Sequence, residues 1–178
     1  AKGKIGVFNR THYENVLVTR VHPEYVFVEN IPTVNSLDDL NDEFYHGRME
    51  RINQFERHIS ENGTIILKFF LNVSKEEQKN RLLRRLNIPE KNWKFSAGDL
   101  EERKLWDKYQ ECYEDMLQRT STSYAPWYVI PADDKPTARY IVAKALEKEL
   151  EKYNFKEPTL PKKVLDQIDE FKKELTNE

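Results

Sequence analysis

The chain has 178 residues, 38% of them hydrophobic and 34% charged, with 29 Lys and Arg against 31 Asp and Glu and a net charge of −2. That length suits one domain; the charge balance argues against a surface built for nucleic acid; and no run of about eighteen apolar residues is present to span a bilayer. The single cysteine, Cys112, excludes an internal disulfide framework and fits a reducing, cytoplasmic setting, and the four scattered His offer no zinc-ligand spacing.

Lys4 to Phe8 (KIGVF) is a short apolar run with Ile and Val and reads as a buried strand. Thr11 and Glu14 have capping-box spacing, so a helix is expected from there, with Tyr13, Val16 and Leu17 on its apolar face. The strand then delivers Asn9 and Arg10 to its carboxyl edge beside a helix N-terminus, where open α/β sheets hold their ligands. An Asn there can hold a metal-bound water, and an Arg can fork onto a phosphate. The same pair also reads as a loop Asn and a surface Arg.

Residues 22–35 read as a loop punctuated by Pro23 and Pro32, and Ser36 opens a long helical pattern that Gly63 stops. Thr64 to Val73 (TIILKFFLNV) is the strongest strand pattern. Ser74 with Glu77 caps a helix reaching about Leu86, and Pro89 breaks it. Lys75, Lys79, Arg81, Arg84, Arg85, Lys91 and Lys94 make this stretch basic. Arg81, Arg84 and Arg85 fall within about one helical turn. Such a cluster can grip a polyanion, and the break suggests a hinged flap; it also reads as a solvated helix with internal ion pairs.

Ser96 with Asp99 opens a further helix through about Arg119, carrying Trp106, Tyr109, Cys112 and Tyr113 as packing residues. Trp127 to Ala132 is a third strand. Asp133-Asp134-Lys135 follows, readable as a nucleotide-facing loop or as a helix N-cap whose acids suit the macrodipole. A helix through Tyr153, a linker and a final amphipathic helix over 164–175 complete the chain. Strands alternating with helices predict an α/β fold with a parallel sheet covered on both faces.

Four stretches together resemble the polyphosphate kinase 2 family: GKIGVFNRTHYENVLVTRVHPE (3–24), VSKEEQKNRLLRRL (73–86), PEKNWKFSAGDLEERKLWDKY (89–109) and APWYVIPADDK (125–135). The resemblance covers about residues 3–150 and is most similar to the class acting on AMP and ADP. It implies a P-loop kinase-like three-layer α/β/α fold with a parallel sheet and a helical lid at about 75–95, here lacking the first strands. Residues 1–155 would be the partial kinase domain and 156–178 a linker and helix. By the same resemblance Arg10 and Asn9 are the catalytic candidates, though Asn9 stands where many members carry Asp, and no metal ligand is assigned. Glu14 and Lys135 are the nucleotide-binding candidates. Arg81, Arg84, Arg85 and Lys94 are the polyphosphate-facing cations.

The family's Walker A loop, of the G-x-D-x-x-G-K kind, has no counterpart among the five glycines. The strand carrying that loop would lie between the first two strands read here, so these residues are expected to be the C-terminal two-thirds of a longer protein, or to be completed by another chain, and nearly inactive alone. The activity implied is transfer of a phosphoryl group from inorganic polyphosphate to AMP or ADP, or to other nucleoside mono- or diphosphates, with Mg²⁺, in a cytoplasmic homo-oligomer without membrane or nucleic-acid partners. The alternatives are an ATP-dependent nucleoside monophosphate kinase and a non-catalytic polyphosphate-binding module.

Overall fold

The computed structural model describes residues 3–153 and 155–177. Helix α1 (His12–Val21) begins where Thr11 Oγ1 accepts from the Tyr13 N–H at 3.3 Å. A 3₁₀ stretch, Pro23–Glu29, follows. The long helix expected from Ser36 is divided. The Asp39 carboxylate accepts from the Asn35 and Ser36 N–H groups at 2.8 and 2.9 Å, which closes a single 3₁₀ turn over Leu37–Asp39. Helix α2 (Asp42–Glu61) then starts afresh, with Asn41 accepting from the Phe44 N–H at 3.0 Å. Gly63 ends it at φ +90°, a backbone that glycine adopts without a Cβ clash.

Strand β1 (Lys68–Asn72) leads into α3 (Lys75–Asn87), where Ser74 Oγ accepts from the Glu77 N–H at 3.0 Å, the expected cap. A 3₁₀ segment, Pro89–Lys94, comes next. The single helix expected after Ser96 is broken at Leu105, giving α4 (Gly98–Lys104) and α5 (Trp106–Thr120). Strand β2 (Trp127–Pro131), α6 (Lys135–Leu150), α7 (Lys162–Leu165) and α8 (Ile168–Thr176) follow. No described helix is long and apolar enough to cross a membrane.

β1 and β2 pair in parallel, in register from Lys68 opposite Trp127 to Asn72 opposite Pro131. Alternation along each strand sends neighbours to opposite faces. Phe69, Tyr128 and Ile130 meet Ala138, Ile141 and Val142 of α6 on one face. Lys68, Phe70 and Trp127 meet the other helical layer: the Tyr13 and Trp127 rings lie 4.9 Å apart, and those of Phe70 and Tyr113 4.8 Å apart. In that layer Val16, Leu17 and Val21 of α1 pack with Met49 of α2 and with Cys112 and Met116 of α5. The sheet thus has helices on both faces, as the α/β reading requires.

One expected strand does not form. Lys4–Phe8 has no ladder partner among the described residues, and Ile5, Val7 and Phe8 stand 85%, 91% and 83% exposed. A strand is held by its hydrogen-bonded neighbour, and apolar β-branched composition alone does not hold one. Among the described residues the sheet therefore has two strands.

The chain divides into two compact units, Ala1–Ala143 and Lys144–Glu178, with the boundary inside α6. In the second unit the rings of Tyr153 and Phe155 stack 5.9 Å apart, and Phe171 and Leu175 of α8 are exposed.

Candidate functional site

Parallel pairing puts the carboxyl ends of β1 and β2 side by side, and each strand runs within a few residues into a helix N-terminus, β1 into α3 and β2 into α6. The partial positive charge of two helix N-termini therefore gathers at one edge of the sheet. Asp133 and Asp134 occupy the turn between β2 and α6. Asp133 Oδ1 accepts from the Ser74 N–H at 2.7 Å, joining the two strand ends, and Asp134 Oδ2 accepts from the Thr137 N–H at 2.9 Å as the cap of α6. The backbone hydrogen bond from Ser74 holds Asp133 below its ordinary carboxyl value, and the hydrogen bonds from Thr137 do the same for Asp134.

Beside this turn lies an open cleft of about 390 Å³, lined by Glu77, Asn80, Arg81 and Arg84 of α3 and by Asp133, Asp134, Lys135 and Pro136, so that three carboxylates stand beside three cations. That volume falls within the roughly 300–1,000 Å³ of small-ligand sites. The structure thus brings together Arg81, Arg84 and Lys135 from two elements far apart in sequence. They are not equivalent. Arg81 Nε donates to Glu77 at 2.7 Å, and its Nη2 donates to the carbonyls of Ala132 and Asp133 at 2.6 and 3.1 Å. It ties α3 to the end of β2. Arg84 and Lys135 are exposed, and their side chains make no hydrogen bond or ion pair among the described residues. They are the cleft's available cations.

Arg85 and Lys94 lie outside that lining. Arg85 Nη1 donates to Asp99 at 2.9 Å and to the Lys94 carbonyl at 3.3 Å, while Asn92 Nδ2 donates to the carbonyls of Arg85 and Leu86 at 2.8 and 2.9 Å. The Pro89–Lys94 turn is thereby fastened to α3 on both sides. The Lys94 ammonium sits 5.0 Å from the centroid of the exposed Trp93 ring.

Asn9, Arg10 and Glu14 form a second cluster at the start of α1. Arg10 has φ +72°, a left-handed backbone uncommon outside Gly, Asn and Asp. Its side chain, 77% exposed, forks onto Glu14: Nε lies 2.9 and 2.8 Å from the two carboxylate oxygens, and Nη2 also contacts Oε1. Glu14 is thus diverted from the expected capping box to Arg10. This hydrogen bonding lifts the Arg10 guanidinium above its ordinary value and holds the Glu14 carboxyl below its own. Asn9 is exposed, and its side chain has no partner among the described residues. Arg10 is not among the residues lining the Arg84 cleft.

The described residues gather no His, Cys, Asp or Glu group able to hold a metal ion. The Mg²⁺ expected from the resemblance has no dedicated cage among the described residues.

Sequence reasoning misses a buried charged cluster under α1. Lys68 and Glu56 are 7% and 3% exposed. Lys68 Nζ lies 2.7 Å from Glu56 Oε2, 2.9 Å from the Tyr13 hydroxyl and 2.7 Å from the Thr120 carbonyl. The Tyr13 hydroxyl donates to Glu56 Oε1 at 2.8 Å, and the Trp127 indole N–H donates to Thr120 Oγ1 at 2.8 Å. The ammonium also faces the Tyr13 and Trp127 rings at 5.0 and 5.1 Å. Burial opposes the Glu56 carboxylate, yet its contacts with His12, Lys68 and Tyr13 hold it below the usual range; burial also pushes Lys68 below an ordinary lysine. The signal in the sequence is a lysine inside the apolar run TIILKFFLNV.

The family model for Polyphosphate kinase 2 (PPK2) matches residues 1–158. The chain is 47% identical over 157 residues to an ADP-polyphosphate phosphotransferase of Rhodopseudomonas palustris, covering 88% of this chain and 53% of that protein. It is 47% identical over 150 residues to an AMP/ADP-polyphosphate phosphotransferase of Meiothermus ruber, covering 84% and 51%. The crystal structure of Polyphosphate Kinase 2 from Arthrobacter aurescens TC1 superposes with a TM-score of 0.78 at 40% identity, covering 90% of this chain and 51% of that one. The chain spans about half the length of these relatives.

Proposed function

The chain belongs to the polyphosphate kinase 2 family, and from that premise we propose that it carries part of the site of a polyphosphate:nucleotide phosphotransferase, which moves a phosphoryl group from inorganic polyphosphate to AMP or ADP. The observation that supports this most directly is the pair Arg84 and Lys135, two cations without a side-chain partner among the described residues, lining one cleft between the flank of α3 and the N-terminus of α6. Linked phosphates would lie against Arg84, with Arg81 holding the cleft in shape. Lys135 would meet the nucleotide's phosphates. Arg10 would neutralise charge on the transferring group, with Glu14 orienting it and Asn9 beside it. Phosphoryl transfer asks mainly for alignment and charge neutralisation; these residues would supply charge, and the bound substrates would bring the Arg10 cluster and the Arg84 cleft to one transferring group.

In this reading Lys94 and Arg85 belong to the lid over 75–95, Lys94 as an exposed cation and Arg85 as its fastening. A Gly-rich phosphate loop, absent from the 178 residues, would complete the site. Mg²⁺ would arrive with the substrate phosphates. A cytoplasmic homo-oligomer belongs to the same proposal.

The test is ³¹P NMR on the full-length protein with polyphosphate and ADP or AMP, with ATP as competing donor. Consumption of polyphosphate with formation of the next higher nucleotide is expected. Transfer from ATP alone would make it a nucleoside monophosphate kinase, and salt-sensitive polyphosphate binding without transfer would make it a binding module. Either result overturns the proposal.

A further inference from the structure

Lys68 stands at the first position of β1, on the face turned toward α1, α2 and α5, where an apolar side chain is the ordinary occupant. Withdrawing an ammonium and a carboxylate from water is costly, and an apolar pair of the same volume is often as stable or more so. Core stability alone therefore does not account for this pair. Its geometry does more than fill space. The three donor contacts of Lys68 reach three different elements: Glu56 on α2, the Tyr13 hydroxyl in the first turn of α1, and the last carbonyl of α5 at Thr120. Tyr13 is in turn fixed from both sides, accepting from Lys68 and donating to Glu56.

The outer side of that same helical turn carries the Arg10–Glu14 fork, and Arg10 holds a left-handed backbone immediately before the Thr11 cap of α1. His12 reinforces the seat, 4.8 Å from the Tyr13 ring and 6.3 Å from the Phe55 ring on α2. The opposite end of β1 leads into Ser74 and α3, which carries Arg81 and Arg84. One strand thus has the buried lysine at its start and leads at its end into the helix that carries Arg84.

We propose that Lys68, with Glu56 and Tyr13, is a positioning residue for phosphoryl transfer: it fixes the first turn of α1 against β1 and so sets where Arg10 stands. This rests on the functional role given to Arg10 above. The cluster touches no substrate and acts only through that turn.

The test compares wild type with the apolar replacement Tyr13→Phe/Glu56→Leu/Lys68→Met in the full-length protein, each with and without Arg10→Ala. The apolar variant should remain folded with a kcat lower by about tenfold or more, since small misplacements cost that much. KM for polyphosphate should change less than about twofold, because the Arg84 cleft is untouched. On the Arg10→Ala background the replacement should have almost no further effect on kcat, the signature of two groups acting through one another. A folded variant with full kcat, or an equal loss on the Arg10→Ala background, overturns the inference. If the triple variant fails to fold, Tyr13→Phe alone is read by the same criteria. If the wild type transfers no phosphoryl group, the functional proposal fails, and the Arg10 Nε–H signal, assigned by its loss in Arg10→Lys, decides instead. Loss of its exchange protection in the apolar variant supports the positioning role, and retention overturns it.

Discussion

Arg10 and Glu14 face each other across the start of α1, with Arg10 Nε 2.8 Å from one carboxylate oxygen and 2.9 Å from the other. The fork joins a cation outside the helix to an acid in its first turn, so each sets the other's charge and direction. Glu14→Gln keeps the length and removes the charge. The variant is expected to retain its fold, because the pair is largely exposed and solvent screens it. Its phosphoryl transfer should fall more than its stability does. Titration of Glu14 by NMR checks the geometry: hydrogen bonding to Arg10 holds it below the ordinary glutamate value, and Arg10→Ala should release it upward. An unchanged Glu14 titration in Arg10→Ala would sink the assignment.

Three arginines of α3 should separate in their effects. Arg84 has no partner in the described structure, so Arg84→Ala should leave Tm within about 1 °C and weaken polyphosphate binding by roughly five- to tenfold, about one lost charge-assisted hydrogen bond. Arg81 and Arg85 are anchors, on the β2 end and on the turn that precedes α4. Each alanine there should lower Tm by about 2–4 °C, the shift expected for roughly 1 kcal/mol in a chain of this size. Calorimetry paired with binding of a defined-length polyphosphate makes the comparison. Equal Tm losses at all three positions would contradict the division of roles.

Lys68→Ala is expected to be far more damaging than either anchor, because it leaves the Glu56 carboxylate buried without its cation. Breaking such a pair costs about 3–5 kcal/mol, whereas replacing both charges with apolar groups is near neutral. Urea unfolding of the single and the combined apolar variants shows this directly. A single variant as stable as wild type would mean that the carboxylate finds water.

The parts of this fold written locally are legible in the sequence. Ser74 caps α3, Gly63 ends α2, and the apolar runs at 68–72 and 127–131 pair as parallel strands. The run at 4–8 carries the same local signal and forms no strand, because a ladder depends on a neighbour that composition does not reveal. Ser36 misleads for a related reason: a cap motif starts a turn, and whether a helix continues depends on the next few residues, here Leu40 and Asn41. At the site, density of charge identifies Arg81, Arg84 and Arg85 but does not sort them. Which arginine is spent on a carbonyl and which is left for a ligand is decided by Ala132, Asp133 and Asp99, residues distant in sequence. The Lys68 cluster needs three elements at once, so a single lysine in an apolar run is its only linear trace.

Acid should unfold this protein through its held carboxylates. Glu56 lies below the ordinary glutamate value of 4.5: burial opposes its ionisation, but the contacts with His12, Lys68 and Tyr13 outweigh it. Asp115 lies below 3.8: burial again opposes, and the hydrogen bonds from Arg20 and Arg119 prevail. A carboxyl with a lowered folded value contributes its stability in full above its ordinary value and loses it as pH falls through the folded one. Lys68 has the same sign in a different window. Burial lowers it, so between its folded value and the ordinary 10.5 the unfolded chain binds the extra proton, and stability gains as pH rises there. Lys68 therefore adds nothing to the acid limb. Tm should change little through these carboxylates from about pH 7 to pH 5 and fall steeply below about pH 4.5. Asp115→Asn removes one contribution, so its Tm should be lower at neutral pH and fall less steeply in acid. A wild-type Tm that stayed level from about pH 5 to pH 3 would show that these carboxyls are not held by their partners.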